Sequence, residues 1–70
     1  MSRLRKRSIL LAGHATSIAL EPEFWTVLEG LAASRALTLS ALLSDIDKGR
    51  LEAPLASACR LAALRFASER

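Results

Sequence analysis

The stretch HATSIALEPEFW, residues 14–25, decides the fold of this 70-residue chain, because the spacing of its apolar residues changes within it. Up to Leu20, alternate side chains are apolar and Ile18 and Leu20 share one face, a pattern typical of a half-buried strand. Pro22 then stands where a helix can begin, since the first helical position needs no amide hydrogen. The stretch therefore predicts a strand over about 14–20 and a helix directly after it.

Two amphipathic helices are predicted after this strand. The first covers about 22–34, where apolar residues recur at spacings of three and four. The second covers about 39–48, and either Thr38 or Ser40 can cap its first turn with a hydroxyl group. Gly49 is expected to end this helix in the left-handed conformation. Together the two helices offer apolar faces that can cover the strand.

A third helix is predicted over about 54–68. Pro54 stands at its start, and the residues that follow are rich in alanine and leucine, which favour helix. The predicted fold is thus mostly α, with one strand and three helices.

Positive charge is concentrated at the beginning of the sequence. The net charge is +3, but residues 1–7 carry +4, while residues 8–70 hold six basic and seven acidic groups and sum to −1. The first segment has no apolar periodicity and is predicted to be a flexible basic arm, and the second a single domain. Gly13 favours a bend, so residues 9–12 either form a separate short strand or extend the arm.

Several classes of protein are excluded by the composition. One cysteine, Cys59, cannot form an internal disulfide, and with His14 it supplies too few ligands for a structural zinc site. A single histidine without a clear acid or base partner argues against an enzyme, and no motif implies a cofactor. The apolar run at 9–12 is shorter than a signal peptide or a membrane span requires. We expect a cytoplasmic protein that is not bound to a membrane.

A single strand cannot satisfy its own backbone hydrogen bonds, and a chain this short closes only a small core. Both facts predict a homodimer in which the strand pairs antiparallel with the same strand of a second copy. The residues expected to form the dimer core share the apolar faces of the strand and the first two helices. They are Thr16, Ile18, Leu20, Phe24, Trp25, Leu28, Leu39, Leu42, Leu43 and Ile46.

The order of elements and the junction between strand and helix resemble those of a known family. The motif Gly-His-x-Thr-Ser-x-x-Leu-Glu-x-x-Phe-Trp over residues 13–25, followed by Leu39, Ser40 and Leu42, resembles a subgroup of short bacterial ribbon-helix-helix proteins. The resemblance implies a ribbon-helix-helix fold with one strand per chain, two core helices and a C-terminal third helix. It also implies a dimer that binds double-stranded DNA.

The resemblance implies two kinds of DNA contact. The outward positions of the ribbon, Ala15, Ser17 and Ala19, would enter the major groove, and the start of the second helix, with Thr38 and Ser40, would hold phosphates. Free backbone N–H groups at a helix start suit an anionic oxygen. The basic arm adds candidate phosphate contacts from Arg3, Arg5, Lys6 and Arg7.

Two functions therefore remain open. The basic arm favours a dimeric DNA-binding transcriptional regulator. Ala15 and Ala19 favour a protein-interaction or oligomerisation module, because alanine neither donates nor accepts a hydrogen bond to a base edge. In that alternative, the third helix offers an apolar face to a protein partner.

Overall fold

A computed structural model describes residues 3–69 of the chain. Two strands come first and three helices follow. The elements are β1 (Arg5–Leu11), β2 (His14–Leu20), α1 (Pro22–Ser34), α2 (Leu39–Gly49) and α3 (Leu55–Ser68).

The two strands form an antiparallel hairpin within one chain. Residues pair from Arg5 with Leu20 at the open end to Leu11 with His14 at the closed end. The turn consists of Ala12 and Gly13, whose φ angles are 51° and 81°. Positive φ at both turn residues is the geometry of a type I′ turn, which suits the twist of a hairpin. The partner of the predicted strand is therefore β1 of the same chain, and pairing with a second chain is not part of this structure.

This pairing corrects the description of the N-terminal segment. Arg5, Lys6 and Arg7, which the charge pattern assigned to a flexible arm, are the first three residues of β1. The open question about residues 9–12 is also answered, because Ile9–Leu11 complete the same strand and Ala12 begins the turn. Backbone pairing with β2 therefore positions most of the basic cluster.

One face of the hairpin packs against the helices and forms the core. Ile9 and Leu11 from β1 join Ile18 and Leu20 from β2, because alternate residues of paired strands point to the same side. The residues that complete the buried core all come from the helices. They are Trp25, Leu28, Leu31, Ala32, Leu42, Leu43, Cys59 and Ala63.

Several residues predicted to form a dimer core thus lie in the core of a single chain. Phe24, Leu39 and Ile46 pack against it and are partly buried, and Thr16 is also partly buried. The third helix contributes Cys59 and Ala63, which are almost completely buried. The hairpin and the three helices therefore enclose one core.

The helix ends show which capping residues act. The Thr38 hydroxyl accepts a hydrogen bond from the Ala41 amide at 3.1 Å, so Thr38 caps α2. The expectation that Gly49 ends α2 in the left-handed conformation is wrong. Gly49 is still helical, and Leu51, two residues later, has a φ of 55°. The chain turns there because Arg50 binds both ends of the loop, the Asp47 carboxylate at 2.6 Å and the Ala53 carbonyl at 2.8 Å.

Ala36 occupies a position that favours glycine. The Leu37 amide donates to the Ala32 carbonyl at 2.9 Å and the Ala36 amide to the Ala33 carbonyl at 3.1 Å, which is the Schellman pattern at the end of α1. Ala36 has a φ of 57°, a conformation in which a Cβ atom is strained. The short link between α1 and α2 therefore stores strain.

Replacing Ala36 with glycine is expected to stabilise the protein by about 0.5–1 kcal/mol. The relief of left-handed strain exceeds the added entropy of the unfolded chain. Urea denaturation followed by circular dichroism measures the change. The matched control is Ala33→Gly, at an exposed position inside α1, where the same substitution should destabilise by a similar amount. A destabilised Ala36→Gly variant would contradict the strain argument.

Within residues 3–69, no single helix is both long enough and apolar enough to cross a membrane. Only α1 and α2 taken together meet the criteria of length and composition, and a bend of 98° separates them.

Candidate nucleic-acid interface

The hairpin has a second face that points away from the core. We call this the outer face, and it is formed by the residues of both strands that alternate with the core residues. They are Lys6, Ser8 and Leu10 from β1 and Ala15, Ser17 and Ala19 from β2. Five of them are exposed and Ala19 is partly buried. The three positions of β2 that were predicted to face DNA thus lie on a solvent-facing surface and share it with three residues of β1.

The outer face changes in character along the strands. Lys6 pairs with Ala19 at the open end of the hairpin, and Ser8 with Ser17 in the middle. Leu10 pairs with Ala15 beside the turn. Side chains that lie opposite each other on one face of an antiparallel pair are direct neighbours. The face therefore runs from a cationic end through a pair of hydroxyl groups to an apolar end.

Arg7 points to the other face of the sheet. Its guanidinium lies 4.9 Å from the centre of the Trp25 ring and 3.2 Å from the Glu29 carboxylate. A guanidinium over an aromatic face is attracted to the ring, and the neighbouring carboxylate adds a hydrogen bond. Of the four basic residues predicted to contact DNA, Arg7 is thus engaged with Trp25 and Glu29 of α1, although its side chain is still 41% exposed.

Trp25 also attaches the beginning of β1 to the first helix. Its indole N–H donates to the Arg5 carbonyl oxygen at 2.8 Å. The aromatic ring is 2% exposed, so Trp25 is a core residue and its polar atom has a partner. This contact and the Arg7 stack fix the open end of the hairpin, next to which Lys6, Arg5 and Arg3 are exposed.

The start of α2 is a separate feature. Thr38 is exposed and Ser40 is partly buried. The Thr38 hydroxyl satisfies one of the amide donors of the first turn. Among residues 3–69, no hydrogen bond or ion pair connects this turn with the outer face. The predicted phosphate positions at the start of α2 are therefore a candidate site separate from the outer face of the hairpin.

Arg60 is engaged in the packing of α3. It donates to the Glu21 carboxylate at 3.0 Å, and its guanidinium lies 5.8 Å from the centre of the Phe24 ring. The pKa of Glu21 is lowered, first by a hydrogen bond from the backbone N–H of the same residue and then by Arg60. These contacts join α3 to the junction between β2 and α1, so Arg60 has a structural role.

Cys59 is completely buried beside this junction. Burial raises the pKa of its thiol to about 11, although the charge of Arg60 acts in the opposite direction. A buried thiol with a raised pKa is a poor nucleophile. No group of three or more potential metal ligands occurs in the part of the chain that the structure describes. Cys59 therefore behaves as a small core residue.

The edge of β2 opposite β1 is open. The described residues contain a two-stranded sheet, so β2 has one strand neighbour only. Leu11 and His14 flank a two-residue turn and exchange backbone hydrogen bonds, and bonded and non-bonded pairs alternate along the strands from there. The N–H and C=O groups of Ala15, Ser17 and Ala19 consequently point away from β1. Such an edge can pair with another strand.

The third helix also has an exposed apolar surface. Leu61 is 49% exposed and Leu64 is 58% exposed, and both lie within α3. A shallow groove of about 290 Å³ lies beside Leu61, between α2 and α3, and Ile46 and Ala62 line it. This is the surface that the alternative function requires.

Two outer-face residues, Ser8 and Leu10, are absent from the predicted interface. Residues 8–11 read Ser-Ile-Leu-Leu, so the sequence pattern does not separate Leu10 from its apolar neighbours, and only the pairing register shows that Ser8 and Leu10 lie beside Ser17 and Ala15. A hairpin is usually predicted from the residues of its turn, and here those residues are atypical. Ala12-Gly13 replaces the Asn-Gly or Asp-Gly sequence that usually marks a type I′ turn, so the local sequence does not predict a hairpin here.

Comparison with known protein families identifies a family to which the chain is similar. A family model described as a ribbon-helix-helix domain matches residues 4–67, which include both strands and nearly all of α3. Neither the curated proteins nor the solved structures give a significant match.

Proposed function

Since the chain belongs to the ribbon-helix-helix domain family, we propose that it is a dimeric DNA-binding protein that regulates transcription. Domains of this family are generally DNA-binding transcription regulators, and the fold is not an enzymatic one. We further propose that the chain acts in the cytoplasm of a bacterium, without a catalytic activity and without a cofactor.

The observation that carries the proposal is the outer face of the hairpin. A two-stranded ribbon has the width that the major groove admits. The outer face is exposed along both strands, and three of its six side chains are alanine or serine from β2, which let the backbone approach closely. Lys6 lies on this face at the open end of the hairpin. Arg5, which alternation places on the opposite face, and Arg3 are exposed next to it, and all three suit phosphate oxygens. Affinity would therefore come mainly from this cationic end.

The open edge of β2 supports a dimer. Two copies that pair through this edge would form a four-stranded sheet with the two β2 strands at its centre and one β1 strand on each side. Strands lie about 4.8 Å apart, so the two β1 strands would be about 14 Å apart, and the whole sheet would be wider than the roughly 12 Å major groove. The central pair of β2 strands would therefore be the two-stranded ribbon that faces the groove, and the β1 strands would lie along its sides. Lys6 of each copy would then lie near a phosphate backbone.

The start of α2 supplies a second proposed phosphate contact. The first-turn amide groups of Leu39 and Ser40 lie at the positive end of the helix dipole, which favours an anionic oxygen. Thr38 fixes the conformation of this turn through its bond to Ala41. These contacts would set the orientation of the protein on DNA without reading the sequence.

The proposal is tested by DNA binding across a salt series, with wild type and an Arg3→Ala, Arg5→Ala, Lys6→Ala variant. The logarithm of the binding constant should fall by about 0.9 per neutralised phosphate for each unit of log salt, and the variant should show a shallower slope. The control variant, Arg35→Ala, Lys48→Ala, Arg65→Ala, removes the same charge from exposed positions within the helices or directly after one, and it should keep the wild-type slope. Fluorescence anisotropy with a labelled duplex measures both. Absence of binding at low salt, or equal slopes in the two variants, would refute the proposal.

The alternative is a protein-interaction module, and one observation favours it. Leu61 and Leu64 expose apolar surface on α3 without a partner from the described residues of the core. Under this alternative, the folded dimer would not bind duplex DNA even at low salt, and Leu61→Ser with Leu64→Ser would change its assembly. The salt series therefore separates the two functions.

A further inference from the structure

We propose that the apolar end of the outer face recognises thymine through its C5-methyl group. The inference rests on the proposed DNA-binding function and names the feature of DNA that the hairpin would distinguish. In the major groove, thymine is the base that presents a methyl group, and small or apolar side chains contact it. The contact would be made by Leu10 together with Ala15.

The pairing register brings these two residues together. Leu10 lies opposite Ala15, one residue pair from the turn, at a non-bonded position where side chains approach most closely. Leu10 is 62% exposed. Although it belongs to β1 and Ala15 belongs to β2, strand pairing makes the two side chains neighbours. The two side chains form one apolar surface that points to solvent.

The remaining outer-face residues distinguish bases poorly. Ser8 and Ser17 face each other in the middle, and a hydroxyl group that both donates and accepts can bind any base pair. Lys6 lies four residues from Leu10, a distance of about 14 Å along a strand. A phosphate contact by Lys6 and a methyl contact by Leu10 therefore do not compete. Ala19, beside Lys6, is partly buried, so the apolar end is the part of the face that responds most to the identity of a base.

The test changes only the methyl group of the DNA. Binding of the full chain is measured by anisotropy at low salt with alternating duplexes of dA-dT, dA-dU, dG-dC and dG with 5-methyl-dC. The dU duplex lacks the methyl group of thymine, and the methylated dC duplex carries one at the same ring position. Burial of one methyl group corresponds to roughly a fourfold change in affinity. We expect weaker binding to dA-dU than to dA-dT, and tighter binding to methylated dG-dC than to dG-dC.

A protein variant shows whether Leu10 causes the difference. Leu10→Ser should bind the methylated and unmethylated duplexes equally, whereas the control Leu64→Ser, at an exposed leucine of α3, should keep the wild-type preference. Because the same duplexes are used throughout, effects of the methyl group on DNA stiffness cancel in the comparison. Circular dichroism confirms that both variants are folded.

The outcomes separate the inference from the function on which it rests. Binding to all four duplexes with equal affinity would overturn methyl recognition and leave DNA binding intact. A methyl preference that persists in Leu10→Ser would overturn the role of the Leu10–Ala15 pair. Absence of binding to any duplex at low salt would overturn both proposals.

Discussion

Replacing Leu28 with alanine is expected to lower the free energy of unfolding by about 2–5 kcal/mol. Leu28 is completely buried on α1, inside the cluster that joins the hairpin to the helices. Truncation removes apolar contacts and leaves a cavity that the surrounding side chains fill only in part. A domain of this length has a stability of roughly 4–10 kcal/mol, so the variant loses a large part of it. Urea denaturation followed by circular dichroism measures the loss.

The matched control for this prediction is Leu64→Ala. Leu64 is 58% exposed on α3, so the same change of side chain should alter the stability by no more than about 0.5 kcal/mol. A Leu28→Ala variant within 1 kcal/mol of the wild type would show that this residue is not in the main core.

Replacing Ser17 with proline is expected to dissociate the proposed dimer and to leave each chain folded. The Ser17 amide points to the open edge of β2, so proline removes no hydrogen bond of the hairpin. In a dimer paired through that edge, each copy would lose one bond and leave a buried acceptor unsatisfied. At about 1–3 kcal/mol for each copy, the dimer would become at least roughly thirtyfold weaker. Analytical ultracentrifugation measures the dissociation, and circular dichroism monitors the helices.

Ser8→Pro is the control for the choice of edge. Ser8 is paired with Ser17 in the hairpin, and its amide points to the opposite edge, that of β1. This variant should remain a dimer. If Ser8→Pro dissociates the dimer and Ser17→Pro does not, the copies pair through β1, and the proposed central position of β2 is wrong. A dimer that survives both substitutions would be held together by another surface, such as α3.

Local sequence signals predict where α1 and α2 begin. The structure begins α1 at Pro22, and the Thr38 hydroxyl caps α2, and both residues act through backbone groups within a few positions of themselves. The end of α2 does not follow from residue type alone. Gly49 is the residue type expected at a left-handed position, but the loop held by Arg50 places Leu51 there instead. A side chain that binds the carbonyl of Ala53 outweighs the intrinsic preference of glycine.

In the candidate site, too, some features follow from the local sequence and others depend on the tertiary structure. The positions of Ala15, Ser17 and Ala19 on one face of a strand follow from alternation alone. The neighbours of these residues do not, because the face that β1 presents depends on its register with β2. The register places Lys6 on the outer face and Arg7 against Trp25, although the two residues are adjacent and both are basic.

The amino-acid sequence by itself determined the number of helices, the strand at 14–20, the apolar faces and the concentration of positive charge in the first seven residues. Each of these depends on residue type and on spacing along the chain. The tertiary structure decided that β1 is the partner of β2, that Arg7 packs over the Trp25 ring, and that Leu10 lies beside Ala15. The physical reason is that backbone pairing joins residues distant in sequence, and here a type I′ turn without its usual residues sets that pairing.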